Sequence, residues 1–329
     1  MIVAGIDCGT NSIRLLVAQV TKVGVKDIIR VMKIVRLGEN VDKTGRFSHQ
    51  ALNRTFDACR EFAAICKENN VEKIRFVATS ASRDAENKKE FLLGVKEILG
   101  VDVEIISGEQ EAYLSFIGAK KVLESENLKN LLPDFSYNNA SGNGSNVLLV
   151  DLGGGSTEFV SGKTIPERSI SLNMGCVRVS EKFLRNGVND FSVASACDFI
   201  DKLVEKADKE IDFSKIDSFI GVAGTITCVT ANFLKLDKYD PHRIHGNFMT
   251  FEQAIASCDE IIFSTKIERD CMGFLHPKRA DVICGGALVF RQILKYFSSL
   301  YSAGKLKFNG VITSENDILD GIVMSICGI

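Results

Sequence analysis

Two segments of this chain superimpose at an offset of 144 residues: GIDCGTNSIRLL, residues 5–16, and LVDLGGGSTEFV, residues 149–160. Asp7 falls on Asp151, Gly9 on Gly153, Ser12 on Ser156 and Arg14 on Glu158. An internal repeat constrains a fold more than any local propensity, because both copies must build the same unit. Each copy is an apolar, β-rich run ending in Asp, a short Gly-containing turn, and a second apolar run, which reads as strand, tight turn, strand. Glycines in such a turn supply φ > 0 and let an anion approach backbone N–H groups. One Gly-Gly-Gly alone would read as an ordinary hairpin; two matched copies favour a pair of phosphate-holding turns, one per domain, facing one ligand.

The 329 residues suit about two domains. Hydrophobic residues make up 45% and charged residues 25%, ordinary values for a globular chain with real cores. A net charge of −2 gives no global attraction for nucleic acid or membrane. No run approaches the roughly 18 apolar residues of a membrane span, and no signal-peptide layout precedes the first strand, so a cytoplasmic location is expected. The ten cysteines contain no C-x-x-C pair and read as small buried apolar residues in a reducing compartment. Homodimeric assembly is the expectation.

Between the repeats, Ser48 caps an expected helix to about Asn69, whose apolar stripe is Leu52, Phe56, Cys59, Phe62 and Cys66. A strand at Ile74–Ala78, a helix stopped by Gly100 and a strand at Val103–Ile106 complete an alternating α/β half. Pro133–Asn146 reads as a surface loop, and the sequons at Asn139 and Asn143 would be silent in a cytoplasmic protein. The second half repeats the style with a strand at Ser169–Leu172, helices from about Val179 and over Ser192–Ile211, and a strand at Phe219–Val222. Gly224 and Thr225 in GVAGTIT then read as a third Gly turn. A terminal helix is expected from Ser314, with Asp317 at the capping-box position.

The segments DCGTNSIRLLV, ATSASRDAEN, ISGEQEAYL, VDLGGGSTEF, NMGCVRVSEKFL, GVAGTITCV, HPKRADVICGGAL and SENDILDGI follow one another through nearly the whole chain. Together they resemble the exopolyphosphatase/guanosine pentaphosphate phosphohydrolase family. The resemblance implies an α/β fold of two RNase H-like domains, of the actin, sugar kinase and heat-shock superfamily, around a central cleft. It places the first domain at 1–118 with the returning helix 314–329, and the second at 119–313. The chain stops at Ile329 without the added region of longer members, so the short two-domain form and short to medium substrate chains are expected.

Phosphoanhydride hydrolysis asks a protein to hold phosphates, neutralise their charge with a metal and orient a water. Competing motifs are missing: Cys284 and Arg291 are separated by six residues rather than the five of a thiol phosphatase loop, and no GxxxxGK[ST] occurs. Glu109 and Glu111 are equally placed for a general base by spacing alone, and either reads as a first-turn glutamate favoured by the helix dipole. The resemblance selects Glu111 for activating water, while Gln110 departs from the family's usual glutamate. Asp151 and Glu158 follow the family's metal pattern, and acids bracketing a Gly-rich turn suit Mg²⁺; Asp7 joins them through the repeat. Thr10, Asn11, Ser12, Gly153, Gly154, Gly155 and Ser156 would donate to phosphate oxygens. Arg83 matches a family arginine that reaches phosphates, and Arg14 would line the same cleft. Gly224 and Thr225 stand where superfamily relatives meet a nucleotide. Gly285-Gly286 reads as close helix packing, and His49, His242, His245 and His276 as structural. The substrate implied is inorganic polyphosphate, with guanosine pentaphosphate or a non-catalytic sensor as alternatives.

Overall fold

The computed structural model describes residues 1–21, 24–131, 145–326 and 328. The asparagines of both sequons, and all but the last two residues of the expected loop before the second half, lie outside them. The chain divides into two compact units, Met1–Gly118 with Ile318–Ile329, and Ala119–Asp317.

The first unit is built on strands β1 (Ile2–Cys8), β2 (Ser12–Thr21), β3 (Gly24–Ile34), β4 (Lys73–Ala78) and β5 (Val103–Ile105), in the order β3-β2-β1-β4-β5. β1, β2 and β3 are antiparallel neighbours, while β4 runs parallel to β1 and β5 parallel to β4. The long β3 is a finding rather than an expectation, since its exposed positions carry Lys26, Asp27 and Arg30 among its apolar residues. Helix α1 (His49–Glu68) forms as expected, with the Ser48 hydroxyl accepting from the Ala51 N–H. Together with α2 (Ser80–Asp84) and α3 (Lys88–Leu99), it covers one sheet face. Phe62, Phe76 and Phe91 are fully buried there, each contributing about 1.5–3 kcal/mol.

The second unit carries β6 (Val147–Leu152), β7 (Thr157–Gly162), β8 (Pro166–Leu172), β9 (Ser218–Val222), β10 (Phe248–Thr250) and β11 (Gly310–Thr313), ordered β10-β11-β9-β6-β7-β8. Read from its β8 edge, this sheet repeats the first: three antiparallel strands, then two parallel ones, with β10 added outside. That is the RNase H-like order, present twice.

Helices α4 (Gly108–Ala119), α5 (Cys176–Phe183), α6 (Asp190–Ile211), α7 (Ala223–Phe233), α8 (Phe251–Phe263), α9 (Ile283–Ser302) and α10 (Ile318–Ile326) follow along the chain. Around α9 the second core closes, with Phe297 edge-on to Phe213 at 4.8 Å and to Phe219 at 5.1 Å. A Cβ at Gly285 would lie 2.3 Å from the Ser180 hydroxyl on α5, so this glycine serves helix packing. Helix α10 packs Leu319 and Val323 under β1 and β2 of the first unit.

Three expectations need correction. α10 begins at Ile318, not Ser314, because residues 310–313 extend as β11 and the Ser314 hydroxyl is engaged locally with Asn316. GVAGTIT is not a turn: after β9 only Ala223 takes a positive φ, of 71°, and Gly224 and Thr225 already lie in the first turn of α7. The helix after β8 begins at Cys176 rather than near Val179.

Candidate active site

The two hairpins of the repeat have the same register. Asp7 stands opposite Arg14 and Cys8 opposite Ile13; Asp151 stands opposite Glu158 and Leu152 opposite Thr157. Each turn is closed by the same bond, from Gly9 N–H to the Ser12 carbonyl at 2.9 Å and from Gly153 N–H to the Ser156 carbonyl at 3.0 Å.

Both turns are also tied from behind by the chain that leaves the third strand of their sheet. After β3, Val35 and Arg36 donate to the Asn11 carbonyl at 3.1 and 2.8 Å, and Gly38 donates to the Thr10 carbonyl at 2.8 Å. After β8, Cys176 donates to Gly153 O at 3.0 Å, Val177 to Gly154 O at 2.8 Å and Gly175 to Gly155 O at 3.2 Å. A trans peptide points its C=O and N–H in opposite directions. With these carbonyls held by the chain after β8, the N–H groups of Gly154, Gly155 and Ser156 point away from that chain, and among the described residues they donate to no protein acceptor. Backbone amides left without an acceptor in a turn are suited to an anion.

None of Gly153, Gly154 and Gly155 has a positive φ, so the sequence argument from left-handed backbone does not apply. The close approach that does demand a glycine is at Gly175, where a Cβ would sit 2.3 Å from the carbonyl carbon of Gly154. Gly175→Ala is therefore expected to push the loop off its tether and cost about 1–3 kcal/mol of stability. Thermal denaturation, with phosphate affinity measured in parallel, checks both effects.

Charge separates the two hairpins. In the first, Arg14 Nε and NH2 bond Asp7 Oδ2 at 3.0 and 2.6 Å, so Asp7 is neutralised within its own hairpin. In the second, two acids occupy the matched positions, Asp151 at 6% exposure and Glu158 at 1%. Like charges placed opposite one another across strands repel, and a cation relieves that. Ser171, opposite Glu158 on β8, donates its hydroxyl to Glu158 Oε1 at 2.7 Å and fixes that carboxylate. No cluster of three or more His, Cys, Asp or Glu groups suited to a metal occurs among the described residues. Two carboxylates with oxygen donors only fit Mg²⁺, which keeps several waters and completes its shell with substrate phosphate. Asp7, held by Arg14, is the weaker candidate.

Also in the first unit, Arg83 NH1 donates to Glu111 Oε2 at 2.8 Å and to the Ile106 carbonyl at 2.9 Å. This separates the two glutamates that spacing left equal: Glu111 is buried and clamped, Glu109 exposed. Gln110 has a local task, because its Oε1 accepts from Ser107 N–H at 3.0 Å while its own N–H donates to the Ser107 hydroxyl at 3.2 Å. That reciprocal pair starts α4. Thr10 shares a hydrogen bond with Ser80 at 3.0 Å, and Asn11 Nδ2 is buried with no acceptor among the described residues. An unsatisfied buried donor costs about 1–3 kcal/mol, which an incoming oxyanion would relieve.

Thr225 is turned inward. A Cβ on Gly286 would lie 2.5 Å from its hydroxyl, so at the start of α7 the backbone is the donor, not this side chain. Sequence reasoning missed Arg279. Its guanidinium lies over Gly224, where a Cβ would be 1.8 Å from NH1. Burial pushes the nearby Cys176 and Cys228 thiols up, with Arg279 pulling part of the way back. A cation at the positive end of a helix is unfavourable without an anion between them. His276 orients this segment by accepting the Lys278 N–H on Nδ1 at 3.1 Å, and burial holds its own pKa below the usual histidine value. The sequence offers no signal that would pair residues as distant as Gly224 and Arg279.

The model of the Ppx/GppA phosphatase family matches residues 16–134 and 138–307. Exopolyphosphatase 2 of Mycobacterium tuberculosis is 35% identical over 336 residues, covering 99% of this chain and 98% of that protein. The crystal structure of an exopolyphosphatase-like protein is 39% identical, with a TM-score of 0.90 over 99% of this chain and 97% of the other. The Ppx/GppA enzyme of Aquifex aeolicus is 30% identical, with a TM-score of 0.76 over 99% of both chains. With the doubled RNase H-like fold and its paired hairpins already in place, these likenesses show that the chain belongs to the Ppx/GppA phosphatase family and is a phosphoanhydride hydrolase.

Proposed function

We propose that this chain hydrolyses the terminal phosphoanhydride bond of inorganic polyphosphate, releasing orthophosphate one residue at a time. The observation that carries this reading is the Gly153–Ser156 loop, whose carbonyls are tied to the chain after β8 while the N–H groups of Gly154, Gly155 and Ser156 have no protein acceptor among the described residues. Such a loop recognises phosphate oxygens and nothing of a base or sugar. Asn11 Nδ2 adds a donor in the first unit, and Arg83, Arg279 and the start of α7 add positive charge. Glu111 is the general base: it takes a proton from water as the oxygen attacks the terminal phosphorus, the bridging P–O bond breaks, and the shortened chain leaves as an anion. Arg83 holds the Glu111 carboxylate in one orientation through the NH1 bond. Asp151 and Glu158 are the residues that would hold Mg²⁺, which supplies charge neutralisation on the phosphates.

Recognition through backbone amides and guanidinium groups should be strongly electrostatic. By analogy with other polyanions, log KM for polyphosphate is expected to rise roughly linearly with log salt. The deciding experiment measures kcat/KM for polyphosphates of graded length and for guanosine pentaphosphate under one salt condition. Polyphosphate should lead. A clear advantage for the pentaphosphate over every chain length would make the alarmone the substrate instead.

A further inference from the structure

The phosphate loop has one attachment that differs in kind from the others. Gly153 O, Gly154 O and Gly155 O each accept a backbone N–H, but Gly155 O also accepts Arg178 Nε, at 2.8 Å. Arg178 sits in the first turn of α5 and reaches back over the helix start to that carbonyl. Because of the trans geometry, the N–H of the same peptide group belongs to Ser156 and points the opposite way, toward the anion side.

A charged donor on a carbonyl has two effects on the peptide beyond it. It fixes the peptide plane more firmly than a neutral donor, since charge-assisted hydrogen bonds are roughly twice as strong. It also draws electron density toward the oxygen, leaving the N–H a stronger donor, as happens along any hydrogen-bonded chain. We propose that Arg178 is a positioning residue of the phosphate loop: without touching the substrate, it orients the Gly155–Ser156 peptide and strengthens the Ser156 N–H as a phosphate donor. The inference rests on the phosphate-loop reading above.

Two variants separate charge from bulk. Arg178→Gln keeps a neutral donor, and Arg178→Lys keeps the charge. Isotope-labelled full-length protein is titrated with inorganic phosphate and tripolyphosphate while the amide resonances of Gly154, Gly155 and Ser156 are followed; thermal denaturation confirms that each variant is folded. In the wild type these resonances should move on addition of either anion, Ser156 most. Arg178→Gln should weaken binding roughly three- to ten-fold and shrink the Ser156 shift, with Arg178→Lys restoring most of both. The slope of log affinity against log salt should be the same in Arg178→Gln as in the wild type, because this side chain does not meet the chain of phosphates. A slope reduced by about one would make Arg178 a direct phosphate ligand and overturn the positioning role. So would an Arg178→Gln protein that binds as tightly as the wild type. If the wild-type loop amides ignore both anions, the phosphate-loop reading itself falls, and the role of Arg178 with it.

Discussion

Glu111→Gln is expected to lower turnover of polyphosphate by roughly two to four orders of magnitude while leaving its binding nearly unchanged. Glutamine has the same size and can accept the Arg83 NH1 bond that the carboxylate now takes at 2.8 Å, so the buried position should stay filled and the first unit folded. What is lost is the ability to take a proton from water at neutral pH. Rapid-mixing assays of phosphate release, together with equilibrium binding of a polyphosphate to the variant, separate the two quantities. Turnover within a few-fold of the wild type would remove Glu111 from the mechanism. Glu109→Gln is the control, since that side chain is exposed and should change little.

Removing the metal should have an effect of similar size. Excess chelator is expected to abolish turnover, and Asp151→Asn to raise the Mg²⁺ concentration needed for half-maximal rate at least ten- to a hundred-fold. Asp151 and Glu158 are buried and opposed across β6 and β7, so replacing one of them also removes like-charge repulsion. The Asn variant should therefore be at least as stable as the wild type in metal-free buffer, although it is less active. Ser171→Ala tests the same centre from one bond further out: losing the 2.7 Å contact to Glu158 should raise the Mg²⁺ concentration needed for half-maximal rate without touching phosphate contacts. Full activity in excess chelator would rule out this assignment.

The opposed acids show how much of the site was legible beforehand. Asp151 and Glu158 are picked out by the family resemblance, with Asp7 in the matching place supporting Asp151, and both hairpins do share one register. Once the structure is known, the same comparison separates the two hairpins, because the first pairs an acid with an arginine and the second sets two acids opposite each other. Glu111 shows the limit of spacing. Glu109 and Glu111 share the first turn of α4; spacing leaves them equal, the family resemblance selects Glu111, and the approach of Arg83 from α2 gives that choice a physical ground. Arg279 and Arg178 carried no readable signal, since an arginine's partner over a long chain separation depends on how helices pack.

By itself, the sequence determined the doubled architecture, the hairpins and the approximate extent of the long helices α1 and α6. These follow from short-range rules: alternation, capping, and a repeat whose copies must fold alike. Tertiary structure alone decided why Gly175 must be a glycine and where the cations go. Gly153, Gly154 and Gly155 take no left-handed backbone; the loop approaches Gly175 too closely for a Cβ there, and its amides point away from the chain leaving β8 because that chain holds its carbonyls. GVAGTIT became the start of a helix rather than a turn because one residue, Ala223, absorbs the change of direction after β9. Such outcomes depend on contacts between segments far apart in the chain, which local periodicity does not encode.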